Sequence, residues 1–277
     1  MTKLTMTELP REVTMTELPR EVTMTELPRE VSEYNITTKF DNRVNINCIY
    51  PVYISMTTIP ERMSNTYKII KSTLNNLSGF EKLILNVPIK YQSWEMDKLN
   101  LTKLESINDP RFILNRTNDF GPATKIIPSL SITPNECIII VCDDDCYHYE
   151  AFKIAAESQE KDRSKSFTFW KYTYNGLDIP QGVDLITFWK PNMLGFESYA
   201  KRVIKYRHCF FVDDMIIGSY LSQNGISIEQ LDRKWKWPWI PNCFGKESKF
   251  SLNKQKGEFS RESCNKNCFK LIKNIGK

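Results

Sequence analysis

The 277-residue chain predicts an α/β domain built on a mostly parallel sheet flanked by helices. Three observations point there. The run Cys137-Ile138-Ile139-Ile140-Val141-Cys142 is short, apolar and rich in β-branched residues, the pattern of a strand buried on both faces. It ends directly in Asp143, Asp144 and Asp145, at the strand end where open α/β sheets hold ligands. Ahead of it, strand-like and helix-like segments follow in the order strand, helix, strand, strand, helix, strand.

The elements follow in order. Residues 5–31 are three identical copies of Thr-Met-Thr-Glu-Leu-Pro-Arg-Glu-Val. A proline in every copy breaks a continuous helix, and each copy has too few apolar residues to bury. The segment is expected to be a disordered tail, with self-association as the alternative role. The folded part, expected over 44–245, opens with a strand at 52–56. Thr58-Ile59-Pro60-Glu61 has the form of a capping box with proline in the first turn. Ile59, Met63, Tyr67, Ile70, Leu74 and Leu77 then step at three and four, as on an amphipathic helix ending near Gly79. Strands are predicted at 83–85 and 112–114, a short helix at 123–130, then the acidic-ended strand. A helix at 150–159, strands at 167–170 and 185–189, an amphipathic stretch at 194–206 and a strand fragment at 209–212 follow. Asp213-Asp214 opens a helix to Asn224, with Gly225 as its stop. The Lys-rich segment 246–277 is expected to loop or lie over the domain.

Composition narrows the class. Hydrophobic content of 41% and aromatic content of 12% suit a globular protein with ample length for a core. The net charge of +5 is spread along the chain, so no nucleic-acid partner is expected. No stretch reaches the roughly 18 apolar residues of a membrane span. The N-terminus lacks the apolar core of a signal peptide, so a cytoplasmic, soluble protein is expected. On that reading the eight cysteines are reduced thiols. Cys264 and Cys268 lie four apart, on one helix face, but with two histidines in the chain no structural zinc site is expected.

Three adjacent carboxylates repel one another, so a fold that gathers them at a strand end is expected to bind a cation. Hard oxygen ligands suit Mn²⁺ or Mg²⁺, which bind phosphate oxygens at the same time. The plain alternative is an acidic strand-to-loop junction in solvent.

Three segments together resemble the GT-A fold of family-two-type nucleotide-sugar glycosyltransferases. Arg116-Thr117-Asn118-Asp119-Phe120-Gly121-Pro122-Ala123-Thr124-Lys125 is similar to the family's helix start before the metal strand, with Lys125 where that family has Asn. Residues 138–145 resemble the strand ending in the DxD motif. Phe211-Val212-Asp213-Asp214-Met215, with its helix and Gly225-Ile226, resembles the later Glu-Asp motif. The family's glycine-rich acceptor segment is only faint around 191–195, and no histidine follows Asp214 as a late metal ligand. The resemblance implies a single GT-A-type domain with a nucleotide-binding parallel sheet.

It also implies roles. Asp143 and Asp145 flank a metal that bridges the donor's diphosphate and assists the leaving group. Asp145 is the direct ligand, and Asp143 contacts the ribose or a metal-bound water. Asp144 is turned away by alternation. Lys125 and Arg116 meet the diphosphate or the base edge, or else lie on a solvated helix face. Asp119 belongs to the same nucleotide-binding segment. Thr57 and Arg62 follow the first strand, where the fold receives the nucleoside. Asp214 is the general base, with Asp213 second; the alternative for the pair is helix capping. Trp237, within Trp235-Lys236-Trp237-Pro238-Trp239, stacks on an acceptor sugar, packs in the core or a lid, or meets lipid headgroups. The partners implied are a nucleotide-sugar donor and a glycan, protein or lipid-linked acceptor, with peripheral membrane contact open. Two rival readings are a haloacid-dehalogenase-type phosphatase and a catalytically degenerate transferase fold. The first expects Thr or Val two residues beyond its second Asp, where Tyr147 stands. The second would be favoured by the DxD strand and Asp214 lying far apart.

Overall fold

The computed structural model describes residues 43–92, 99–181, 185–232, 238, 240 and 257–275. Trp237 and the repeat segment lie outside them. The strands are β1 (Val44–Asn45), β2 (Val52–Thr57), β3 (Leu77–Ser78), β4 (Lys82–Pro88), β5 (Phe112–Thr117), β6 (Ile138–Val141), β7 (Ser166–Thr168), β8 (Lys171–Tyr174), β9 (Leu177–Pro180), β10 (Ile186–Trp189) and β11 (Ile228–Gln230). The helices are α1 (Met63–Asn76), α2 (Thr102–Glu105), α3 (Ile127–Ile132), α4 (Tyr149–Lys161), α5 (Phe196–Val203), α6 (Asp213–Gln223) and α7 (Arg261–Ile275).

Seven strands form the central sheet in the order β11-β7-β10-β6-β2-β4-β5. β6, β2, β4 and β5 are mutually parallel, while β10 runs antiparallel to both β6 and β7. The chain steps outward from β2 to β4 to β5, then returns to place β6 on the other side of β2. The topological switch therefore falls between β2 and β6, and the crevice at their C-terminal ends is the ligand position in such sheets.

β6 shows why this strand is so apolar. Ile139 and Val141 pack into the layer of α3, α5, α6 and α7, while Ile138, Ile140 and Cys142 pack into the layer of α1 and α4. All are fully buried. Each isoleucine buried in this way contributes about 1.5–3 kcal/mol of transfer free energy. The alternation continues past the strand. Asp143 follows the α6 side and Asp144 the α1 side.

Three expectations are corrected. Thr58 caps no helix: a 3₁₀ turn, Pro60–Arg62, precedes α1, and neither element has a side-chain cap. The reason is that the Thr58 hydroxyl is engaged by Asp144 and Thr66. Residues 209–211 form a 3₁₀ turn and not a strand, because the chain folds directly into α6. The cysteines are not all reduced thiols: Cys209 and Cys268 are disulfide-bonded, as is Cys146. The C-terminal segment also contributes more than cover, since Cys264, Cys268 and Ile272 of α7 belong to the core. No helix among the described residues is long and apolar enough to cross a membrane.

Candidate functional site

The site forms where β6 ends beside β2. Asp143 and Asp144 leave the strand in opposite directions and meet opposite partners. Asp144 is locked. Its Oδ1 pairs with the Arg62 guanidinium, and its Oδ2 accepts from Thr58 Oγ1 at 2.5 Å and Thr66 Oγ1 at 3.0 Å. Burial pushes this carboxyl above its ordinary value, partly offset by Arg62 and the two hydroxyls. Asp144 therefore ties the loop after β6 to α1, and Arg62 is occupied in that tie.

Asp143 faces Lys125, whose Nζ lies 2.6 Å from Asp143 Oδ1 and 2.9 Å from Asp213 Oδ2. The lysine is 2% exposed, which corrects the alternative of a solvated helix face. Burial alone lowers a lysine's affinity for its proton, but Asp143, Asp213 and Asp214 reverse this and keep Lys125 charged. Burial likewise works against the Asp143 carboxylate, and Lys125 outweighs it, leaving Asp143 below its ordinary value. The backbone amide of Asp143 is held by the Tyr147 hydroxyl at 3.1 Å.

Local structure explains how Lys125 reaches both motifs. Gly121 sits at φ +61°, and a Cβ there would meet the Phe210 carbonyl oxygen at 2.2 Å. Only glycine lets the turn press against the 209–211 segment. The 3₁₀ turn Ala123–Lys125 follows, and the Lys125 carbonyl accepts a hydrogen bond from the buried Ser55 hydroxyl. Asp119 shapes the same turn: its carboxyl accepts from Gln92 N at 2.6 Å and Gly121 N at 2.9 Å. It is thereby engaged with backbone. Arg116 is exposed at the end of β5, with Nη2 3.2 Å from the Pro88 carbonyl. Thr57 ends β2 and donates to Asn86 O at 2.8 Å.

Asp213 and Asp214 begin α6, where the helix dipole favours negative charge. They are not caps, since Val212 holds that position and no side chain caps the helix. Both are 5% exposed. Burial, reinforced by repulsion from Asp213, raises the Asp214 carboxyl to about 7 despite Arg261 and Lys125. A carboxyl poised near neutrality suits proton removal. Arg261, from α7, lies with Nη1 3.4 Å from Asp214 Oδ2. Sequence reasoning missed it, because the Lys-rich C-terminal composition carries no sign of which basic residue turns inward. Tyr172, on β8, also faces this group, and burial with the nearby Asp214 charge pushes its hydroxyl up to about 12. The Asn175-Gly176 pair at positive φ closes the β8–β9 hairpin, a signal that was legible in the sequence.

Among the described residues no cluster of three or more His, Cys, Asp or Glu side chains is arranged as a metal cage. Mg²⁺-like ions do not require one, because one or two carboxylates plus substrate phosphates and water suffice. Asp144 is excluded by its partners. Asp143, 31% exposed and fixed through Oδ1, and the half-buried Asp145 fit such an incomplete site.

No protein-family model matches the chain. No curated protein matches it either. Solved structures resemble it at low similarity. The 2-C-methyl-D-erythritol 4-phosphate cytidylyltransferase of Francisella tularensis is 12% identical over 68% of this chain and 93% of its own, with a TM-score of 0.39. A mannosyltransferase from Pyrobaculum calidifontis, in complex with GDP-Man and Mn²⁺, is 13% identical over 68% of this chain and 60% of its own, with a TM-score of 0.42. The mannose-6-phosphate isomerase of Helicobacter pylori is 14% identical over 58% and 78%, with a TM-score of 0.38. At such scores the likeness carries no inference about substrate or reaction. The architecture itself is a mixed α/β fold with a mostly parallel central sheet between two helical layers.

Proposed function

We propose that the chain is a metal-dependent glycosyltransferase that moves a sugar from a nucleoside-diphosphate donor to an acceptor hydroxyl. One observation carries this reading. The buried Lys125 pairs with both Asp143 and Asp213, so the DxD-like strand end and the later acidic pair share one site. A degenerate fold, with the two motifs apart, is disfavoured by that contact.

In this reading Asp143 and Asp145 present oxygens toward the donor diphosphate. A divalent cation bound there supplies neutralisation of the charge that builds on the leaving diphosphate. Asp144, Arg62, Thr58 and Thr66 keep the loop in place. The donor nucleoside lies along the ends of β2 and β4, beside Thr57 and within reach of the exposed Arg116. Asp214 accepts the acceptor hydroxyl's proton as that oxygen attacks the anomeric carbon, and Asp213 is paired with Lys125. Trp237 on the acceptor side belongs to the same proposal.

Calorimetry with UDP and GDP, with Mn²⁺ and then EDTA, tests the binding half. Binding is expected only with the cation, and Asp145→Asn is expected to weaken it. Equal binding without metal removes Asp143 and Asp145 from that role. A screen of nucleotide sugars, scoring the nucleoside diphosphate released, tests the reaction; release of inorganic phosphate instead would favour the phosphatase reading.

A further inference from the structure

Arg261 is the first residue of α7, and its guanidinium touches Asp214 across 3.4 Å while 41% of the side chain stays exposed. A cation at a helix N-terminus opposes the helix dipole, so α7 itself gains nothing from an arginine there. Its location is explained by what it faces. The groups around Asp214 are Asp213 on the same helix, Lys125 from the 3₁₀ turn, Asp143 after β6, Tyr172 from β8 and Arg261. Lys125 makes its ion pairs with Asp143 and Asp213, and Arg261 pairs with Asp214.

The placement of Arg261 is fixed twice. Cys268 lies seven residues on, two helical turns away and on the same face, and it is bonded to Cys209 with Cα atoms 4.9 Å apart. Cys209 opens the turn that leads into Asp213. The disulfide thus joins the helix carrying the arginine to the segment carrying the aspartates. At the other end Phe259 stacks on His208 at 5.6 Å and meets Phe211 edge-on at 6.0 Å.

We propose that Arg261 is a positioning residue for the Asp214 carboxylate, and that the Cys209–Cys268 disulfide holds it there, making α7 part of the catalytic unit. This rests on the reading of Asp214 as the base. Arg261 aims the carboxylate through its ion contact and favours the ionised form that accepts a proton. Loss of the arginine removes one attractive charge against the repulsion of Asp213 and Asp143, and weakens the hold on the carboxylate's orientation.

The test uses the full chain with ¹³C-labelled aspartate, following each carboxyl by NMR against pH and assigning Asp214 by its absence in Asp214→Asn. Arg261→Met is expected to move the Asp214 midpoint up by about one pH unit. It is also expected to lower kcat at pH 7 by about fivefold with donor KM unchanged, recovering at higher pH. Arg261→Lys should restore part of both. The Cys209→Ala/Cys268→Ala pair, with phosphine reduction of the folded protein as a second perturbation, should move the midpoint in the same direction. A folded Arg261→Met protein with an unmoved midpoint overturns the proposal, and an unmoved midpoint after loss of the disulfide overturns the role of the staple. If the titrations shift but the wild type transfers no sugar, the contact stands and the glycosyltransferase reading fails.

Discussion

Two carboxylates at adjacent positions on one buried helix turn repel each other, and Lys125 is paired with one of them. It sits against Asp213, while Asp214 is raised to about 7 by burial and by that neighbour's charge. The sign of the consequence follows. A base must be deprotonated, so transfer should rise with pH through about 7. Asp214→Asn should cut turnover by about a hundredfold or more and abolish that limb, while nucleotide binding stays intact, as kinetics and calorimetry will read. If Asp213→Asn abolishes turnover and Asp214→Asn does not, the assignment within the pair is inverted. Stability should respond in the opposite sense. A carboxyl whose folded pKa lies above its ordinary value of 3.8 costs stability increasingly from about pH 4 to pH 7. Melting curves of Asp214→Asn should match the wild type near pH 4 and exceed it at pH 8, by on the order of 5 °C. Lys125→Met leaves the buried Asp213 and the partly exposed Asp143 without this counter-charge and should cost about 3 kcal/mol in denaturant unfolding. At this scale the position of the aspartates at the end of β6 was legible, because they directly follow a short apolar run. The partners of Lys125 and Arg62 were not. Both are ordinary basic residues in sequence, and only the approach of β6 to α1 and α6 assigns them to Asp143, Asp213 and Asp144.

Elements were legible where one physical pattern repeats over several residues. The six-residue apolar run gave β6, and the three-and-four spacing gave α1, each nearly at its observed limits. Patterns failed where tertiary contact overrode them. Thr58 has the form of a cap but is claimed by Asp144, and the apolar Cys209-Phe210-Phe211 reads as a strand but is a tight turn pinned by a disulfide. α7 was missed because its apolar stripe is thin and two of its buried residues are cysteines. The turn at Gly121 illustrates the same dependence on a distant element. Alanine there would require a left-handed backbone and would place Cβ against the Phe210 carbonyl. Gly121→Ala should therefore destabilise by about 1–3 kcal/mol, read by chemical denaturation. It should weaken metal-dependent nucleotide binding as well, since the displaced turn carries Lys125.

Across the molecule, every described residue in the two buried layers lies between Val44 and Ile272, with the sheet's inner strands sealed on one side by α1 and α4 and on the other by α3, α5, α6 and α7. Among the described residues, each strand of the main sheet, from β2 to β11, finds its neighbour within this span. The three copies of the nine-residue repeat supply one methionine, one leucine and one valine each, with a proline between the leucine and the valine, which is too little apolar surface to build a further layer. We propose from composition alone that ordering these 27 residues would cost more than their few apolar side chains return. Removing residues 1–31 should therefore leave the melting temperature within about 2 °C of the full chain, the scale of a change below about 1 kcal/mol for a domain of this size. Mn²⁺-dependent nucleotide affinity and turnover should be unchanged too. A large fall in melting temperature would mean that the repeat packs on the domain. An unchanged melting temperature with lost turnover would instead make the repeat part of how an acceptor is recruited.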